Sequence, residues 1–91
     1  MRFTFDPAKR IRNLKKHGFD LSDARPVIES GKTVTFEDRR FEYGEERLVT
    51  LGFLHDAPVL IVTAETTDEI RIISMRKAEK HEEKIYFRYL E

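Results

Sequence analysis

The chain has no cysteine, which excludes disulfides, thiolate nucleophiles and Cys-based zinc sites. It has no net charge: Lys plus Arg number 17 and Asp plus Glu number 17. Electrostatic recognition must therefore be local. It has no long apolar run. The longest, Ala57 to Val62 (APVLIV), is far short of a membrane span. The stretch MRFTFDPAKR lacks the apolar segment of a secretion signal, so a cytoplasmic location is expected. Repeats, linkers and low-complexity tracts are missing too. Ninety-one residues suffice for one modest core, so a single domain over residues 1–91 is expected.

Several catalytic signatures are also missing. There is no glycine-rich phosphate loop and no G-x-S-x-G elbow. HEEKI is not H-E-x-x-H, because Ile85 stands at the second ligand position. His17, His55 and His81 show no metal-ligand spacing. Neither a metal nor a cofactor is expected.

What is present is strong helix and strand punctuation. RFTF reads as a short strand. In DPAKRIRNLKKHG, Asp6 suits the N-cap, Pro7 the first helical position and Gly18 the C-terminal stop. Ala8, Ile11 and Leu14 recur at spacing three and are expected to form the buried stripe. A second short helix is expected from Leu21 to Ser30, with Pro26 near the end of its first turn if Ser22 caps it. TVTFED, ERLVTLGFL, APVLIVTAE and EIRIIS read as successive strands joined by short turns, which predicts an antiparallel meander. APVLIV, apolar without alternation, suits a central strand covered on both faces. A last helix is expected over Met75 to Leu90, with Met75, Ala78, Glu82, Ile85 or Tyr86, and Tyr89 on its stripe. The fold class is α+β: helices packed on an antiparallel sheet, in the order β-α-α-β-β-β-β-α.

On this reading Ser74 caps the last helix, and Arg76 and Lys77 fall in its first turn, where cations oppose the helix dipole. Two solvated cations would fit that pattern. So would an anion site, because a helix N-terminus offers free N–H groups and Arg71 lies on the strand leading in. Residues 1–18 carry Arg2, Lys9, Arg10, Arg12, Lys15 and Lys16 against Asp6 alone. Arg10, Asn13 and His17 share one flank of the first helix, away from Ile11 and Leu14. His17 is a surface residue at a helix end or a proton shuttle near neutral pH. FEDRRFEYGEERLVTLG reads mainly as a solvated loop. Arg47, at a strand start, is held more rigidly, and Glu46 beside it would pair with it or orient a base.

FDPAK, Asn13, KHG at 16–18, GEER at 44–47 with a downstream LG, and RIISMRKA at 71–78 occur in this order. Together they resemble the BrnT family of toxins over nearly the whole chain. The family more often has alanine where this chain has Met75. The resemblance implies a RelE-like fold and an RNA endonuclease, acting with or without the ribosome. It also implies a BrnA-type antitoxin with a ribbon-helix-helix DNA-binding domain. Such pairs form a complex, expected here as a 2:2 heterotetramer, that contacts operator DNA through the antitoxin.

The residues suit that chemistry. RNA supplies its own nucleophile, the 2′-hydroxyl. The protein must move protons and stabilise a phosphorane. Lys16 or His17 is the candidate for proton transfer. Arg71 and Arg76 are candidates to hold the scissile phosphate, with Arg47 and Lys77 in support and Arg10, Asn13 and Ser74 toward substrate. Tyr86 is a weaker candidate, because a core role suits it better. Two other classes use the same basic surfaces: a non-catalytic nucleic-acid-binding module and a protein-interaction domain.

Overall fold

A computed structural model describes residues 1–38 and 45–90 of the chain. Most of the expected loop after TVTFED, including Gly44 of the GEER motif, lies outside the described residues. Strand β1 spans Arg2–Phe5 and helix α1 Pro7–His17. Asp6 caps α1 by accepting the Ala8 N–H at 2.8 Å. Gly18 closes it in the left-handed conformation, φ 77°, with its N–H on the Leu14 carbonyl at 2.9 Å. A 3₁₀ turn, Leu21–Asp23, leads into helix α2, Ala24–Glu29. Asp20 rather than Ser22 supplies the capping oxygen there, accepting the Ser22 N–H at 2.9 Å. Pro26 stands in the first turn of α2, where its missing N–H is tolerated.

Strands β2 (Val34–Glu37), β3 (Arg47–Leu54), β4 (Ala57–Glu65) and β5 (Glu69–Lys77) follow, and helix α3 is Lys80–Leu90. The β3–β4 hairpin turns on His55 and Asp56, both at positive φ, which matches the strand twist of a two-residue loop. The sheet order is β1-β5-β4-β3-β2. The class is α+β, as expected, but the sheet is mixed. β2 to β5 pair antiparallel, whereas β1 runs parallel to β5, with Arg2 opposite Glu69 and Phe5 opposite Ile72. Short turns force antiparallel pairing only between consecutive strands. Between β1 and β5 the chain runs through both helices and three other strands, and a connection that long permits a parallel pair.

Two cores flank β4. On one face Leu21, Ala24 and Val27 pack over Val59, Ile61, Ile70, Ile72 and Met75. A Cβ at Gly52 would collide with Val27 Cγ1, so α2 sits on β3 only because that position is glycine. On the other face Tyr86 of α3 packs on Val49, Leu51 and Leu60. Its hydroxyl donates to the Lys32 carbonyl at 2.9 Å, so Tyr86 is a core residue.

Three expectations are corrected. The last helix does not begin at Met75. β4 is nine residues long and pairs with β5 as far as Val59 opposite Lys77, and the Ala78 N–H continues to the Pro58 carbonyl. Sheet pairing satisfies this backbone and overrides the local capping signal of Ser74. Arg76 and Lys77 therefore end a strand, and the first turn of α3 carries Glu82 and Glu83, as the helix dipole favours. Tyr89 is 70% exposed rather than on a buried stripe. Finally, α1 is turned the other way from its apolar spacing. Ile11 and Leu14 are 59% and 49% exposed, Ala8 is exposed, and the one buried residue of α1 is Asn13.

Candidate active site on the second face of the sheet

Asn13 explains how α1 is placed. β1 covers the outer edge of β5 only as far as Ile72, leaving the backbone of Met75 open on that side. Asn13 supplies what a strand would. Its Nδ2 donates to the Met75 carbonyl at 2.9 Å, and its Oδ1 accepts the Met75 N–H at 3.1 Å. The second Nδ2 hydrogen goes to the Phe19 carbonyl at 2.8 Å. A buried amide fully engaged in this way holds the helix against the strand edge. His17, one turn later on the same flank, is carried toward the end of β5.

β5 does not alternate simply. Its register shifts opposite Val62 and Thr63, so that Ile72 faces Thr63 and Ser74 faces Val62, with Ile73 the extra residue. The bulge sends Ile70, Ile72 and Met75 to the first core. It leaves Arg71, Ser74 and Arg76 together on the second face, opposite Ala64, Val62 and Leu60. Arg47 joins them, because it also lies opposite Ala64 from the other side. The sheet thus brings four of the candidate residues onto one surface beside α3. Lys77, the next residue along β5, projects to the opposite side by strand alternation.

Each arginine is oriented by a carboxylate. Arg76 makes a fork with Glu82, Nη1 to Oε1 at 2.8 Å and Nη2 to Oε2 at 2.9 Å. Glu82 Oε1 also accepts the Glu79 N–H at 2.8 Å, closing half of a capping box at the start of α3. Burial pulls the Glu82 carboxyl up, but the Arg76 bonds, the Glu79 N–H and neighbouring positive charge outweigh it, and its pKa is lowered. Arg71 Nη2 meets both oxygens of Glu45, at 2.7 and 2.8 Å, and Arg47 approaches the same carboxylate at 3.5 Å. That partner of Arg47 is Glu45; Glu46 is exposed. The sequence places Glu82 on the stripe of the last helix and Glu45 in the GEER motif, but it does not show that they pair with Arg76 and Arg71. The role of Glu82 was hidden by the misplaced helix start; three residues after Glu79, it carries the capping-box spacing.

His17 is half-buried, and its pKa is lowered first by that burial, then by the charges of Lys16 and Arg76. The imidazole is therefore neutral near pH 7 and able to take a proton, with two cations close enough to act on it. Arg10 is not part of this cluster. Its guanidinium forks onto Asp20 at 2.8 and 2.9 Å and lies over the Phe5 ring at 5.6 Å. That bond, with the Ser22 N–H, holds the Asp20 carboxyl well below the usual carboxylate range. Among the described residues no three His, Cys, Asp or Glu side chains converge as a metal site, and no helix is long and apolar enough to cross a membrane.

A search of curated proteins finds no significant match. The sequence profile described as "Ribonuclease toxin, BrnT, of type II toxin-antitoxin system" matches residues 5–82, from the end of β1 to the Glu82 that holds Arg76. With most of its length matched, and with the ordered motifs of that family along it, the chain belongs to the BrnT family of ribonuclease toxins of type II toxin–antitoxin systems.

Proposed function

We propose that this toxin is a metal-independent endoribonuclease that uses the substrate's own 2′-hydroxyl as nucleophile. The observation that carries this reading is the grouping of Arg71, Ser74 and Arg76 on one face, with neutral His17 within the field of Arg76. In this reading His17, assisted by the Lys16 charge, takes the proton of the 2′-hydroxyl as the bond to phosphorus forms. Arg71 and Arg76 stabilise the charge that builds on the phosphorane oxygens, and Arg47 supports them. The bond from phosphorus to the 5′-oxygen breaks as that oxygen takes up a proton from water, giving a 2′,3′-cyclic phosphate and a 5′-hydroxyl. The Arg71–Glu45 pair is open to solvent, with side chains 44% and 39% exposed, so it is weak and a phosphate can displace it. Arg76, anchored by Glu82, serves as the fixed donor.

The partner in this reading is a BrnA-type antitoxin whose ribbon-helix-helix domain contacts operator DNA. That domain dimerises, so a 2:2 heterotetramer should form, and light scattering of the co-expressed pair checks it. The architecture is read as RelE-like, and the site of action as the cytoplasm. The test of the activity is cleavage of a defined RNA by purified protein in EDTA. Arg71→Ala should lose about a hundredfold in rate, the scale of losing one transition-state donor, with little change in melting temperature. Activity abolished by EDTA and restored by one metal would overturn metal independence. An unchanged rate in both Arg71→Ala and Arg76→Ala would overturn the site.

A further inference from the structure

Helix α1 presents an unusual outward surface. Residues 7–17 include Lys9, Arg10, Arg12, Lys15, Lys16 and His17 and no acid. Arg12, Lys15 and Lys16 form no ion pair with a carboxylate among the described residues. Between these cations stand Ile11 and Leu14, both about half exposed or more. At spacing three they form one stripe, with Lys15 beside Ile11 at spacing four. The fold does not use this stripe, because Asn13 on the other side makes the docking contact.

We infer that the outward face of α1, centred on Ile11 and Leu14, is the docking surface for an acidic amphipathic segment of the antitoxin. This rests on the reading of the chain as a toxin held by such a partner, and adds where and by what chemistry it is held. Charge complementarity selects an acidic occupant, since a helix with cations and no acid repels a basic one. The apolar stripe selects protein over RNA. Ile11 and Leu14 offer nothing to a phosphate, whereas an amphipathic segment would bury both. A segment lying along α1 toward its C-terminal end would reach His17, the last residue of the helix. Docking there would shut the site without any residue of it being altered.

The experiment uses the purified toxin and the antitoxin encoded with it. Three toxins are compared: wild type, Ile11→Ser/Leu14→Ser, and Lys15→Glu. For the double variant the expected result is melting and RNA cleavage like wild type, with antitoxin dissociation constant raised at least tenfold. Lys15→Glu should slow association and flatten its salt dependence. Unchanged antitoxin affinity in both variants would place the docking surface elsewhere. A sharp fall in melting temperature would mean the stripe is packed in the fold, and also overturns the inference. Loss of RNA binding with antitoxin affinity intact would assign the face to RNA instead. If wild-type toxin binds no antitoxin, the toxin–antitoxin reading of this chain fails, and the inference falls with it.

Discussion

Strand β4 and helix α1 are held in place by opposite chemistry. β4 is the middle strand, with Val59 and Ile61 buried on one face and Leu60 on the other. Apolar area removed from water on both sides stabilises it. α1 buries one side chain, Asn13, and turns Ile11 and Leu14 to solvent. It is fastened by an amide that completes an unfinished strand edge. Apolar periodicity reports which side of a helix is buried only when the helix packs on an apolar layer. Here the helix packs on exposed peptide groups, and the rule inverts. The apolar stripe then faces solvent, while the polar flank carries His17 toward the candidate site.

The contrast can be broken most severely at Asn13. Asn13→Ala would leave the Met75 N–H, the Met75 carbonyl and the Phe19 carbonyl without their partner. The expected loss is about 3 kcal/mol of stability, a drop in melting temperature of roughly 12–24 °C for a domain of this size. Ile61→Ala in β4 should cost a similar amount, about 3 kcal/mol, for the different reason of a core cavity. Asn13→Leu separates the two cases. If apolar contact held α1, leucine would be harmless; here it should destabilise nearly as much as alanine. Thermal or urea melts decide.

Arg76→Ala comes next. Were Arg76 in the first turn of a helix, its removal would be neutral or slightly stabilising. In the strand it is the partner of a mostly buried Glu82 carboxylate, so its removal should cost about 1–3 kcal/mol. Melts of Arg76→Ala beside Arg71→Ala, whose pair is exposed, should show the larger loss at Arg76. The smallest effect belongs to Ile11→Ser and Leu14→Ser, each expected within about 0.5 kcal/mol of wild type. Losses of 2 kcal/mol there would restore the apolar stripe to the core.

Legibility in the sequence follows the same division. APVLIVTAE coincides with β4, and Asp6, Pro7 and Gly18 bound α1, because capping and continuous apolar runs act locally. The length of β5 did not show, because the Ser74 signal is local and its competitor is the partner strand. Nor did the bulge at Ile73, although the doublet Ile72-Ile73 breaks apolar alternation and marks the place. The candidate site was half legible. Arg47, Arg71, Ser74 and Arg76 do share a surface, but through sheet register rather than a helix N-terminus. Glu82 and Glu45 stand in the last helix and the GEER motif, but which arginine each of these two among 17 acidic residues would meet is decided only by folding.

The central claim is that polar docking of α1 sets His17 beside Arg76, and a pH titration of the His17 imidazole by NMR tests it most directly. A histidine whose folded pKa is lowered contributes stability that is fully present above its ordinary value and is lost as pH falls below that value and through the lowered folded one. In wild-type protein His17 should titrate below its ordinary 6.5. In Arg76→Gln, with a positive charge removed, the titration should move upward. A wild-type value at or above the ordinary one, unmoved by Arg76→Gln, would contradict the account.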